Sequence, residues 1–170
     1  MKHVEIERLV YATAETALGT VLVARDSGAI RAILIGDDAE AVRAELATQF
    51  GAGLIEDEAR LRADLTRVRR HIENPNEALD LALTMHGTSF QKRVWAAIRQ
   101  VPVGSTITYT ELAQRIGAPQ AVRAVGSACA ANVTALAIPC HRVIRSDGTL
   151  ASYRWGVNRK RRLLDLEAAA

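Results

Sequence analysis

Residues Thr108 to Ala131 read TYTELAQRIGAPQAVRAVGSACAA, and the fold turns on them. Thr108 followed three places later by Glu111 is the pattern of a capping box: the hydroxyl accepts from the backbone one turn in, and the carboxylate reaches back to the cap. The spacing predicts a short helix with Leu112, Ala113 and Ile116 inward, closed by Gly117 in the left-handed conformation. Pro119 suits a first helical turn, so a second helix is expected over 120–131, packed through Val122, Val125 and Cys129. Two helices joined by a tight glycine-containing turn read as a helix-turn-helix. Many α-hairpins that never meet DNA share the pattern.

The second helix is informative for what it lacks. A major-groove reader presents Arg, Asn, Gln or Glu to base edges. This one displays Ala121, Ala124, Gly126, Ser127, Ala128, Ala130 and Ala131, with Arg123 its only long charged side chain. A helix with side chains is about 10–12 Å across and the minor groove about 6 Å wide, so close approach there requires small residues. The alternative is an Ala/Gly face packed tightly on another helix. Charge bears on the choice, because residues 1–85 carry 10 Lys+Arg against 15 Asp+Glu, whereas residues 86–170 carry 12 against 4. The net charge of +3 thus hides a strongly basic second half. That is the footprint of a polyanion binder, with a merely solvated basic face as the alternative.

Beyond the helix pair lies Ile138-Pro139-Cys140-His141-Arg142-Val143. The apolar run 135–138 reads as a buried strand giving way to a turn, with the Cys140 thiol at its end. A thiol is an effective nucleophile only as thiolate, and a His oriented by a carboxylate is the usual way to produce one near neutral pH. Glu167 is the candidate carboxylate. Spacing alone does not separate this set from a structural cysteine. Cys129 is expected in the core, and Arg159 to Arg162 is expected to be a solvated helix start ahead of Leu163, Leu164 and Leu166.

The chain's 170 residues, 49% hydrophobic, fit one ordinary domain or two small ones. It has no run of 18 apolar residues and no apolar segment at its start, so a cytoplasmic protein without membrane contact is expected. Two cysteines eleven apart and four scattered histidines match no zinc spacing and no disulfide scaffold, so no metal or cofactor is expected. In the first half, Leu18 to Ala24 and Ala29 to Ile35 flank the turn residues Asp26-Ser27-Gly28 as a hairpin. Asp37 to Glu40 offers a capping box for a helix through Val42, Leu46 and Phe50. A second helix carries Leu61, Leu65, Val68 and Ile72 and stops at Asn74-Pro75, and Leu79, Leu81 and Leu83 alternate as in a half-buried strand. Met85-His86-Gly87 is the expected joint between domains at 1–85 and 86–170. Past it Thr88 to Gln91 caps a helix through Phe90, Val94, Trp95, Ile98 and Val101, ended by Pro102-Val103-Gly104.

Several motifs in one order are more specific than any of these alone. Gly87-Thr88-Ser89-Phe90-Gln91, Val94-Trp95, Tyr109, residues 121–126, Asn132, residues 138–143, Tyr153-Arg154-Trp155-Gly156, Arg159-Lys160 and Leu163-Leu164 resemble the O6-alkylguanine-DNA alkyltransferases of the bacterial adaptive-response type. The resemblance is dense over 86–167 and loose before, through Gly36-Asp37-Asp38.

The resemblance implies an α/β, RNase H-like N-terminal domain and a mainly α, winged helix-turn-helix C-terminal domain that carries the active-site cysteine. It implies a monomer that binds double-stranded DNA through the minor groove and flips the damaged base. The alkyl group of O6-alkylguanine, and of O4-alkylthymine, would pass irreversibly to Cys140 in one turnover without a cofactor. His141 would act as base through a water, Glu167 would orient it, and Asn132 would tie the recognition helix to the active-site turn. Arg123 would enter the base stack, with Ala124 and Ser127 against the DNA. Tyr109 would crowd the rotated phosphate and help protonate guanine N3. The backbone of Cys140 and Val143 would read the guanine amino group; Tyr153 and the Arg154 amide would meet the ring and O6. Ala151-Ser152 stands where close relatives tend to have a small residue and Gly, which predicts a stiffer loop and poor acceptance of benzyl groups. The rival readings are a DNA-binding module with an inert cysteine, and a Cys-His-Glu hydrolase that turns over repeatedly.

Overall fold

The hairpin forms where the turn residues put it. In the computed structural model, which describes residues 8–51 and 53–170, β2 (Gly19–Arg25) and β3 (Ile30–Gly36) pair antiparallel with Val21 opposite Ile35. Asp26 Oδ1 closes the turn by accepting from the Gly28 and Ala29 amides, both at 2.8 Å. Two strands that the sequence reading did not anticipate complete the sheet. β1 (Leu9–Thr16) is antiparallel to β2, and β4 (Leu54–Glu56) is parallel to β1, giving the order β3-β2-β1-β4.

Helices α1 (Ala39–Phe50) and α2 (Glu58–Glu73) pack on this sheet. The α1 cap lies one residue later than expected: Asp38 accepts from the Ala41 amide at 2.8 Å, which leaves Asp37 to pair with Arg159 at 2.7 Å. In α2 the stripe Leu61, Leu65, Val68 and Ile72 is buried throughout, and Asn74 ends the helix. The core under the sheet is finished by Ala135, Leu136, Trp155 and Leu163, all from the second half of the chain.

Residues 79–83 alternate in burial but do not form the expected strand; only Leu83 pairs, with Ile30. The reason is competition for one edge. Ile30 of β3 bonds to the Ala82 carbonyl (2.8 Å) and the Thr84 amide (2.9 Å), while Ile33, three residues on, bonds to the Val133 carbonyl (3.0 Å) and the Ala135 amide (2.9 Å). Two segments thus share one strand's free hydrogen bonds, and neither has room to extend. The same sharing covers an edge that would otherwise be exposed for pairing.

The second half is mainly helical. Helix α3 (Ser89–Ile98) opens with the complete capping box at Thr88 and Gln91 and ends earlier than Pro102. Strand β5 (Ile107–Thr108) leads into α4 (Tyr109–Arg115), whose Thr108 cap accepts from the Glu111 amide at 3.0 Å, and Gly117 follows at φ 75°. The second helix, α5 (Val122–Ala131), starts two residues later than expected. Pro119 lies in a turn held by the Ala121 amide on the Ala118 carbonyl at 2.9 Å, and Ala121 is the cap. Beyond it come strand β6 (Val143–Ile144), parallel to β5, and helix α6 (Val157–Ala168). Helices α3, α4 and α5 meet around Val94, Ile98, Leu112 and Val125, and Ile138, Cys140 and Val143 belong to the same core. Among the described residues no helix is long and apolar enough to cross a membrane.

Candidate active site

The run 135–138 is a turn, not the buried strand expected from its composition. After the single bridge at Thr134 the chain reverses: the Ala137 amide bonds to the Ala135 carbonyl at 2.7 Å and the Ile138 amide to Thr134 at 3.1 Å. Leu136 takes φ 70°, the one non-glycine with positive φ among the described residues. Such a conformation costs about 1–3 kcal/mol, which the burial of Leu136 at 4% exposure in the sheet's core offsets. Cys140 then opens a single 3-10 turn, Cys140–Arg142. Asn132, the C-cap of α5, fixes this turn to the helix. Its Oδ1 accepts from the Thr134 amide (2.8 Å), and its Nδ2 donates to the Ile138 carbonyl (3.0 Å) and to Cys140 Sγ (3.3 Å).

The residue after Cys140 belongs to a buried pair. His141 Nε2 is 2.6 Å from Glu167 Oε1, with the two side chains 1% and 3% exposed. Arg142, which sequence reasoning left out of the site, grips the same carboxylate through Nη2 to Oε1 (2.8 Å) and Nε to Oε2 (3.0 Å), and donates Nη1 to the Val101 carbonyl (2.7 Å). Burial alone would raise the Glu167 pKa; the hydrogen bonds from His141 and Arg142 overcome it and pull the value down to about 2. Burial also lowers His141, against the opposing pull of Glu167, so the ring is neutral at pH 7. A neutral ring beside an ionised carboxylate carries its proton on Nε2 and donates it to Glu167. Nδ1 is then the acceptor, and it has no protein partner.

Cys140 and Cys129, 5% and 9% exposed, line a cavity of about 250 Å³ with Tyr109, Gly126, Ala130, Ser152, Tyr153 and Arg154. The neighbouring Cys129 thiol and burial push the Cys140 thiol well up, while the Asn132 amide and the Lys160 charge act the other way. The cavity shares Tyr109, Gly126, Ala130 and Ser152 with a wider cleft of about 600 Å³ that Arg123, Ser127 and Arg145 also line. Burial pushes Tyr109 up to about 12 and raises Tyr153 as well, so both phenols keep their protons. The Tyr153 hydroxyl is buried without a protein partner, and its ring meets those of His141 and Trp155 edge-on.

Three side chains depart from expectation. Lys160 is not part of a solvated cluster: it has 0% exposure, donates Nζ to the Val143 carbonyl at 2.6 Å and stands 5.9 Å from the centre of the Tyr109 ring. Arg159 is tied down too, to the Leu18 and Trp155 carbonyls, so only Arg161 and Arg162 are exposed. Ala128 faces the core rather than the displayed side of α5, and its carbonyl accepts from Trp95 Nε1 at 2.8 Å. Arg154 Nη1 takes the Ala130 carbonyl at 3.0 Å and Nε takes Glu45 of α1 at 2.9 Å. The last turn of α5, whose carbonyls have no partners within the helix, is therefore held by donors from α3 and from the loop over the cavity. Arg123, Ala124 and Ser127 remain exposed on the opposite face. Among the described residues no three His, Cys, Asp or Glu side chains gather to hold a metal ion.

A buried cysteine that lines a cavity, followed in sequence by a buried imidazole–carboxylate pair and flanked by a helix whose small-residue face lies in solvent, defines a mixed α/β protein with a thiol beside an exposed helix. Comparison with known proteins carries this class to a family. The family described as 6-O-methylguanine DNA methyltransferase, DNA binding domain, matches residues 89–169. The bifunctional transcriptional activator/DNA repair enzyme Ada of Escherichia coli is 50% identical over 164 residues, covering 93% of this chain and 45% of that protein. The methylated-DNA–protein-cysteine methyltransferase of Methanosarcina barkeri is 36% identical over 157 residues, covering 92% and 96%. The crystal structure of Mycobacterium tuberculosis OGT in complex with DNA superposes with a TM-score of 0.81 at 32% identity, covering 94% of this chain and 93% of that one. The chain belongs to the methylated-DNA–protein-cysteine methyltransferase family. It spans about half the length of the Ada relatives it matches.

Proposed function

We propose that the protein repairs DNA directly, moving the alkyl group of O6-alkylguanine, and of O4-alkylthymine, irreversibly onto Cys140. One observation carries this reading: the Cys140 thiol lines a small cavity beside α5, and the next residue, His141, is paired in the interior with Glu167. The family and the DNA-bound mycobacterial relative support it. In this reading residues 1–85 are an RNase H-like domain and residues 86–170 a winged helix-turn-helix domain. Their association through β3 and the shared sheet core keeps the second domain's active-site turn rigid.

The small residues Ala124 and Ser127 let α5 enter the minor groove, where the degenerate base pattern suits a protein that must find damage in any sequence. Arg123 enters the stack and compensates for the extruded base, whose unstacking costs a few kcal/mol. The flipped guanine passes through the wider cleft into the cavity, where Tyr153, the Arg154 amide and the backbone of Cys140 and Val143 receive it. The Val143 carbonyl keeps one lone pair for this, since Lys160 occupies the other. His141 Nδ1 takes the thiol proton through a water. The imidazolium so formed is stabilised by Glu167, which Arg142 holds ionised and in line.

The thiolate then attacks the alkyl carbon in line, and the C–O6 bond breaks with its electron pair passing to guanine. Tyr109, which keeps its proton at neutral pH, donates to N3 as charge develops there; general acid–base assistance of this kind contributes roughly 10²–10⁴-fold. The product is a thioether, which water does not hydrolyse, so each molecule acts once. Incubation with duplex DNA carrying one O6-methylguanine, followed by peptide mapping, tests the reading. One methyl on Cys140 with one guanine restored per protein supports it. DNA binding without an adduct leaves a binding module, and repeated turnover of an acyl substrate leaves a hydrolase.

A further inference from the structure

Alkyl transfer has no use for Cys129, yet its thiol is the neighbour that acts most strongly on Cys140, raising that thiol's pKa. Both are free, both are buried and both line the same cavity. Cys129 lies in the last turn of α5, whose carbonyls Trp95 and Arg154 hold on either side of it, at Ala128 and Ala130. Cys140 opens a one-turn segment that Asn132, the residue that caps α5, ties to the same helix, so both thiols are carried at one end of α5.

We infer that Cys129 is the resolving thiol of Cys140: a hydroperoxide that enters the cavity oxidises Cys140, and Cys129 then closes an intramolecular disulfide that reducing thiols reopen. In the first step Cys140 sulfur attacks the terminal peroxide oxygen. The O–O bond breaks, and the alkoxide leaves with the electron pair and takes up the thiol proton, giving an alcohol and a sulfenic acid. In the second, Cys129 sulfur attacks Cys140 sulfur and the S–O bond breaks. Hydroxide leaves as water with the Cys129 proton. Two thiols thus give up two protons and two electrons, and one peroxide becomes one alcohol and one water. Without a resolving partner a sulfenic acid proceeds to sulfinic acid, which reducing thiols do not repair. The pair therefore stores a single-use nucleophile in a recoverable form. At rest the neighbouring Cys129 thiol and burial hold Cys140 protonated, so the first step is slow at neutral pH and quickens as pH rises.

The test needs no DNA and is independent of the alkyl-transfer reading. Residues 124–142 carry both cysteines and no Lys or Arg before Arg142, so one tryptic peptide reports on the pair. The folded protein is treated with hydrogen peroxide, remaining thiols are blocked with N-ethylmaleimide, and the digest is weighed. The expected peptide is lighter by two hydrogens, carries no maleimide and regains both thiols in dithiothreitol. Cys129→Ser under the same treatment should carry sulfinic acid at Cys140 that dithiothreitol leaves untouched. Wild-type peptide with sulfinic Cys140 beside a maleimide-blocked Cys129, or a disulfide joining two chains, would overturn the inference. If Cys129→Ser does not fold, the wild-type peptide alone decides.

Discussion

Lys160 Nζ donates to the Val143 carbonyl at 2.6 Å from a side chain with no solvent exposure. A buried ammonium is ordinarily matched by a carboxylate. Here the groups that favour its charge are the titratable thiols of Cys129 and Cys140, with the Arg145 guanidinium opposing them. Burial pulls its pKa down and an ionised thiol pulls it up; by the same coupling its charge favours the Cys140 thiolate.

Lys160→Met keeps the stem and removes the charge. Loss of the hydrogen bond at Val143 is offset by relief of a buried charge, so the thermal midpoint should change little. The Cys140 thiolate loses its cation, and iodoacetamide should label Cys140 more slowly, by about tenfold for each 1.36 kcal/mol of thiolate stabilisation removed. Fragment-ion mapping of residues 124–142 reads the labelling at Cys140 separately from Cys129. An unchanged rate at Cys140 would mean that Lys160 serves only the Val143 carbonyl.

The relay sets an acid limit. His141 is held below its ordinary 6.5, so the unfolded chain takes up a proton there before the folded one does, and stability falls as pH drops from about 6.5. Glu167 is held at about 2 against an ordinary 4.5; its contribution is complete above pH 4.5 and fades as pH falls toward 2. A depression of that size corresponds to roughly 3 kcal/mol for a buried carboxylate. Urea unfolding between pH 8 and pH 3 should show stability declining through both windows, and Glu167→Gln should flatten the lower one. A Glu167→Gln profile that matches wild type below pH 4.5 would show that some other carboxylate sets the limit.

Much of this was legible in the sequence because it was periodic or capped. The α2 stripe, the Asp26 turn, and the Thr88 and Thr108 caps depend on neighbours within one turn. The misreadings lie where distant segments compete. Leu79 to Leu83 has a strand's alternation, but β3 had already given half its edge to Val133 and Ala135. The run 135–138 has a strand's composition, but its apolar side chains complete the sheet's core through a reversal at Leu136. Lys160 looked solvated beside three arginines, and only the placement of α6 against Val143 buries it. In the site, His141 and Glu167 pair at 2.6 Å, and Cys140, one residue before His141, lines the cavity. Arg142 was missed although it sits in the same motif, because a guanidinium aimed at a carboxylate 25 residues away leaves no periodic signal.

Asn132 satisfies three buried backbone or thiol groups from one side chain at 1% exposure. Asn132→Leu preserves size and strands the Thr134 amide, at about 1–3 kcal/mol, and leaves the Ile138 carbonyl with the Cys140 amide alone. The variant should unfold at markedly lower urea and label faster at Cys140 with iodoacetamide after a pH jump, because the active-site turn loosens. A variant as stable as wild type would show that the turn is held by the Leu136 reversal and β6 without help from α5.

The loop over the cavity bears on which alkyl groups fit. Ala151 is 8% exposed, and Ser152 lines both the cavity and the cleft. A side chain at 152 narrows the backbone's range relative to Gly, and a cavity of about 250 Å³ already holds Tyr153 and Arg154 at its wall. Single-turnover transfer should therefore be faster from O6-methylguanine than from O6-benzylguanine in the same duplex. Ser152→Gly should raise the benzyl rate several-fold, since lowering the cost of moving the loop aside by about 1 kcal/mol is worth somewhat under tenfold, and leave the methyl rate nearly as it was. Equal methyl and benzyl rates in the wild-type protein would show that the loop already opens for larger groups, and that the side chain at 152 does not set the range.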